Sequence, residues 1–136
     1  MKRNAIAIWQ GTGKEGKGTL STESKILNET PYNFHSRFED GKETNPEELL
    51  AAAHAGCFTM KLSFVLGEAG FTAEKLTTHC DISLEDGAII SSVLKVEATI
   101  PGISKEIFEN CVTDAKTNCP VSKLLDTKIT LDSELL

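Results

Sequence analysis

Residues 44–58 read Thr44-Asn45-Pro46-Glu47-Glu48-Leu49-Leu50-Ala51-Ala52-Ala53-His54-Ala55-Gly56-Cys57-Phe58, and this stretch decides the fold. It opens as a helix start. Asn45 suits the N-cap, Pro46 the first helical position, and Glu48 the third, from which it can close a capping box onto Asn45. The apolar pattern continues through Met60, Leu62, Phe64, Val65 and Leu66 to about Ala69, and Gly70 supplies the stop. Apolar residues cover most of the circumference, so the helix is either buried or membrane-spanning. His54 and Lys61 interrupt every window of membrane length, which favours the central helix of a soluble protein. Such a helix needs cover on every side. Short strands in one chain do not supply it, and a dimer with this helix near the interface is expected.

Working outward, the region before the helix reads as short strands at 5–9, 17–22 and 32–38. Gly11-x-Gly13-x-x-Gly16 formally matches a dinucleotide fingerprint. The fingerprint needs a helix after its glycines, whereas Thr19-Leu20-Ser21-Thr22 reads as strand, so a hairpin loop is expected there. After the helix, strands at 76–84 and 89–100 flank Asp86-Gly87, a strong hairpin signal. Ser104 caps a further helix to about Asn118, with Ile107, Phe108, Cys111, Val112 and Ala115 on its apolar stripe. Residues 127–135 form a last strand. The expected order is β-β-β-α-β-β-α-β, an α+β sandwich of helices on mostly antiparallel sheet. There is no linker or repeat, so residues 1–136 are expected to form a single domain.

Bulk properties exclude several functions. A net charge of −6 and a pI near 5.1 argue against nucleic acid or an anionic membrane surface as partner. Met1-Lys2-Arg3 is not followed by an apolar run of signal-peptide length, and a cytoplasmic location is expected. Thiols are kept reduced there, so the four cysteines are expected to be reactive or buried rather than disulfide-bonded. No cysteine, histidine or acidic spacing indicates a metal, and no cofactor is expected.

Cys57 and Cys119 are the candidate reactive groups. A thiol attacks a peroxide only as thiolate, and an ordinary cysteine, with a pKa of about 8.5, is mostly protonated at neutral pH. Burial in an apolar helix raises that value further, so a reactive Cys57 needs a cation. Lys61, His54 and Arg37 are the candidates; the alternative is that Cys57 is a small buried hydrophobe. Cys119 lies just past a helix end and before Pro120, a turn expected to expose it, where it could condense with a sulfenic acid. Cys80 and Cys111 fall on apolar faces and are assigned to packing. Glu47 precedes Cys57 by ten residues, about 15 Å along a straight helix. If both serve one site, the helix bends or a second chain supplies one of them; otherwise Glu47 is simply a favourable charge at a helix N-terminus.

Together these segments resemble the OsmC/Ohr family of thiol peroxidases, nearly end to end. The resemblance rests on residues 16–24, Arg37-Phe38-Glu39, Thr44-Asn45-Pro46-Glu47-Glu48-Leu49, Ala52-Ala53-His54-Ala55-Gly56-Cys57-Phe58, residues 66–71 and 96–103, and Asn118-Cys119-Pro120-Val121-Ser122. The contexts of Arg37 and of residues 44–48 are more similar to the OsmC branch. The resemblance implies an OsmC-like α+β fold, an intertwined homodimer with two interface sites, and no metal or prosthetic group. It matches Cys57 to the peroxidatic cysteine and Cys119 to the resolving one. Arg37 matches the arginine that stabilises the thiolate, and Glu47 the glutamate that pairs with it. The implied substrate is an organic hydroperoxide, with hydrogen peroxide a weaker one, and the implied reductant is a dithiol such as a dihydrolipoyl protein. The alternative is a non-enzymatic dimeric stress protein, either a thiol redox sensor or a hydrophobic-ligand binder. A cysteine hydrolase built on Cys57 and His54 lacks an orienting carboxylate and oxyanion hole at readable spacing.

Overall fold

Three antiparallel strands, β1 (Ala5–Gln10), β2 (Lys17–Thr22) and β3 (Thr30–Tyr32), lie side by side in that order in the computed structural model, which describes residues 1–136. Two compact units are present, Met1–Leu49 and Leu50–Leu136, and each is described by itself.

In the first unit the glycine-rich segment is the hairpin loop between β1 and β2. Two glycines where it joins β2 are steric requirements, and an added Cβ on Gly16 would first meet the Thr12 carbonyl oxygen. A Cβ on Gly18 would lie 2.6 Å from the Trp9 ring and 2.5 Å from Tyr32, and one on Gly16 would lie 2.7 Å from Trp9 Nε1. Trp9 and Tyr32 meet across the gap so left at a 55° tilt, with centroids 5.4 Å apart. The strand expected over 32–38 is shorter than the pattern suggests: β3 ends at Tyr32, and a helical turn, α1 (Phe34–Phe38), replaces its remainder. The reason is local. The Asn33 side chain accepts from the Ser36 amide at 2.8 Å and the Ser36 hydroxyl oxygen accepts from the Asn33 amide at 3.0 Å, closing a capping box that outweighs the extended propensity of the aromatics.

Helix α2 (Pro46–Glu68) starts where expected, with Asn45 Oδ1 accepting from the Glu48 amide at 2.8 Å. The expected reciprocal half of the box is absent. Glu48 instead accepts from the Thr44 hydroxyl at 2.6 Å, and the Asn45 amide group donates to the Ser36 carbonyl.

The second unit holds the larger core. Strands β4 (Lys75–Glu85) and β5 (Ala88–Thr99) form the expected hairpin, and Asp86 and Gly87 both take positive φ, as a two-residue type I′ turn requires. Helix α3 (Lys105–Asn118) and a short helix α4 (Pro120–Leu124) follow. The chain then crosses back as β6 (Lys128–Leu135), parallel to β5. The expected order stands, with the turns α1 and α4 added. Along β5 every second residue, Ser92, Leu94, Val96 and Ala98, is buried. Against this row packs one stripe of α2, formed by His54, Phe58, Leu62, Val65 and Leu66. Phe108, Cys111, Val112 and Ala115 of α3 close the core. The rest of α2 is less covered than its composition suggests: Met60 and Phe64 are each 65% exposed in the single chain.

Candidate active site

The two candidate thiols meet in the second unit. Cys57 follows His54 by one turn of α2. Cys119 is both the C-cap of α3 and the N-cap of α4. All four cysteines are free thiols. Burial pushes the Cys57 thiol up; the Val121 backbone N–H, an unpaired amide in the first turn of α4, opposes that by donating to the sulfur, and the neighbouring Cys119 thiol adds to the upward shift. Cys119 is fully buried, not exposed by its turn as expected. The turn is a junction between two helices: the Cys119 amide bonds the Ala115 carbonyl at 2.9 Å and its carbonyl accepts from Lys123 at 3.0 Å, so the backbone folds inward and carries the sulfur with it.

Of the three candidate cations, His54 is disqualified. It is fully buried, with Nδ1 2.7 Å from Ser92 Oγ and Nε2 2.9 Å from Ser122 Oγ. Burial lowers its pKa, so the imidazole is neutral at physiological pH. Ser92 also contacts Cys80 Sγ at 3.4 Å. Burial pushes the Cys80 and Cys111 thiols up as well, and both pack in or against the core as assigned. Phe58 is wholly within the core and lines no pocket.

Arg37 and Glu47 meet in the first unit. Arg37 Nε and Nη2 both donate to Glu47 Oε1, at 3.0 and 2.9 Å, and Glu47 Oε2 is buried without a hydrogen-bond partner. Sequence spacing alone does not reveal this pair; α1 creates it by lifting Arg37 over the start of α2. The guanidinium lies 5.1 Å from the Phe38 ring centroid and borders a cavity of about 220 Å³ lined by Trp9, Tyr32, Phe34, Phe38 and Pro46. This pocket was missed from the sequence, because reading 32–38 as strand places Phe34 and Phe38 on one face without curling them around Arg37. The Ser92–His54–Ser122 chain was missed too. Its only signal was Ser92 in the otherwise apolar row of β5.

The second unit thus holds two neighbouring free thiols, and the first unit holds an arginine–carboxylate pair among aromatics. Comparison with known proteins agrees. The chain is 51% identical over 133 residues to "Peroxiredoxin OsmC" of Escherichia coli, covering 95% of this chain and 93% of that protein. It is 33% identical to an "Organic hydroperoxide resistance protein-like" protein of Staphylococcus aureus, over 68% of this chain and 69% of that one. The fold is similar to the crystal structure of an OsmC-like protein from Mycoplasma pneumoniae, with a TM-score of 0.79 at 15% identity, covering 100% of this chain and 98% of the other. Fold, thiol pair and relatives define the class, a cysteine-based thiol peroxidase. The family model described as OsmC-like protein matches residues 39–134, and the chain belongs to that family.

Proposed function

We propose that the protein reduces organic hydroperoxides to alcohols in the cytoplasm, using Cys57 as peroxidatic and Cys119 as resolving cysteine, with Arg37 and Glu47 completing the site. The Cys57 thiolate attacks the terminal, proton-bearing oxygen. The O–O bond breaks, its electron pair leaves on the alkoxide, and a proton converts that to alcohol. Cys57 is then a sulfenic acid. The Cys119 sulfur attacks the Cys57 sulfur, the S–O bond breaks, and hydroxide leaves with the thiol proton as water. A dithiol, here assigned to the dihydrolipoyl class, reduces the disulfide through a mixed disulfide and is itself oxidised.

The observation that carries this reading is that Cys57 packs against the core cluster holding the buried Cys119, near enough for the Cys119 thiol to push the Cys57 thiol up. Resolution then needs no large movement. Burial raises the Cys57 pKa, so a single amide is a weak activator and a fixed cation is required. Arg37 suits that role: Glu47 holds it from one side and aromatic rings lie beside it. Because α2 is continuous, Glu47 stays about 15 Å of helical rise from Cys57 of its own chain. The reading therefore assigns the Arg37–Glu47 pair beside each Cys57 to the partner of a homodimer. The exposed Met60 and Phe64 of α2 are apolar surface that such a partner would cover. An aromatic pocket at the guanidinium suits an apolar peroxide tail better than hydrogen peroxide.

Turnover of cumene hydroperoxide and hydrogen peroxide with dihydrolipoamide, on wild type and Cys57→Ser, tests the proposal. The expected result is turnover that favours the organic peroxide and vanishes in Cys57→Ser. Absence of turnover by an intact dimer would favour a redox sensor.

A further inference from the structure

His54 is a fully buried titratable group that the chemistry above leaves unused. A histidine in a core costs free energy unless both ring nitrogens are bonded, and an apolar residue would fill the same space without that demand. Here both nitrogens are bonded, and the partners come from different elements: Ser92 from the inward row of β5, and Ser122 from α4. The placement relative to the thiols is regular. His54 stands three residues before Cys57 on α2, and Ser122 stands three residues after Cys119 at the start of α4. The imidazole therefore joins the turn of α2 below one thiol to the turn of α4 beside the other. Ser92, fully buried, anchors the ring to the sheet. In a neutral imidazole one nitrogen donates and the other accepts, and each serine hydroxyl can take either complementary role, so the chain is satisfied end to end.

Apart from the Val121 amide at the Cys57 sulfur, no other polar contact ties α4 inward. Its N-cap, Cys119, makes no side-chain cap bond; the helix is five residues long, and its Leu124 is 76% exposed. A single helical turn has little stability of its own. Without an anchor it would fray and take with it both the Cys119 sulfur and the Val121 amide that bonds Cys57.

We infer that His54 is a positioning residue for the resolving step: its hydrogen bond to Ser122 holds α4, and with it Cys119, against Cys57. This inference rests on the thiol-peroxidase reading proposed above. Its consequence is kinetic. The Cys119 sulfur is already in place when Cys57 becomes sulfenic acid, so the S–S bond forms before a second peroxide can oxidise Cys57 to the sulfinic acid.

The test separates the two chemical steps by rapid mixing of the reduced dimer with cumene hydroperoxide. Peroxide consumption reports the first step, and loss of dimedone-reactive sulfenic acid reports the second. Ser122→Ala is the main variant, because Ser122 is only partly buried and its loss leaves no large cavity. The first step should slow far less than the second, because the Val121 amide is only a weak activator of Cys57. The second should slow by roughly threefold to tenfold, the factor matching one net hydrogen bond. Excess peroxide should then drive Cys57 to the sulfinic acid more readily than in wild type. Ser122→Thr, which keeps the hydroxyl, should restore the rate. His54→Asn, which can retain the Ser92 bond but is too short for Ser122, should slow the second step equally, with no further loss on adding Ser122→Ala. Wild-type resolution rates in Ser122→Ala or His54→Asn, or equal slowing of both steps, would overturn the inference. Failure of wild type itself to form the Cys57–Cys119 disulfide would instead overturn the peroxidase reading beneath it.

Discussion

Cys57 is a poor nucleophile by its immediate surroundings, because burial dominates and only the Val121 amide opposes it. The account therefore places its activation on Arg37. Arg37→Ala should move the pH midpoint of Cys57 alkylation upward; an unshifted profile would leave Lys61 as the activating cation, since the buried His54 is neutral. His54 makes a second prediction at this scale. Its pKa falls on folding from an ordinary 6.5, so the unfolded chain binds the proton more readily. The stability that His54 contributes is complete above about pH 6.5 and is lost as pH falls from there toward the folded pKa. Thermal melts over that interval should show wild type losing stability faster than His54→Asn. Parallel curves would mean that folding leaves the His54 pKa unchanged. Individual residues were the least legible part of the sequence. The cysteines announced themselves, but the inward turn of Cys119 and the serine partners of His54 depend on which face of β5 and which turn of α4 come together.

At the scale of elements the sequence was far more informative. Asn45-Pro46, Gly70, Asp86-Gly87 and Ser104 each mark a boundary by local backbone chemistry, and each boundary stands where that chemistry puts it, within a residue or two. The failures share a cause: α1 and α4 are single turns, too short for periodicity, the first set by its cap Asn33 and the second opened by Pro120 without a side-chain cap. Helix α2 is apolar all round, so composition hid which stripe faces the core; β5 selects it. Phe58 lies on that stripe and is fully buried. Phe58→Ala should cost about 3–5 kcal/mol in urea unfolding. A loss under about 1 kcal/mol would place Phe58 outside a close-packed core.

At the scale of the molecule, the apolar surface of α2 and the separation of Glu47 from Cys57 along one helix both argue for a working dimer. Wild type should sediment as a dimer. Phe64→Glu, which puts a charge on that surface, should yield a monomer whose Cys57 still alkylates but no longer turns over peroxide. Full turnover by a monomer would remove the partner from the mechanism. The central claim is that one peroxide converts two particular thiols of the four into one bond. The most direct test is to treat the fully reduced protein with one equivalent of cumene hydroperoxide and map its cysteines by peptide mass spectrometry without reduction. The account predicts a Cys57–Cys119 disulfide, with Cys80 and Cys111 recovered as thiols. A disulfide to Cys80 or Cys111, or Cys57 sulfinic acid beside an untouched Cys119, would contradict it.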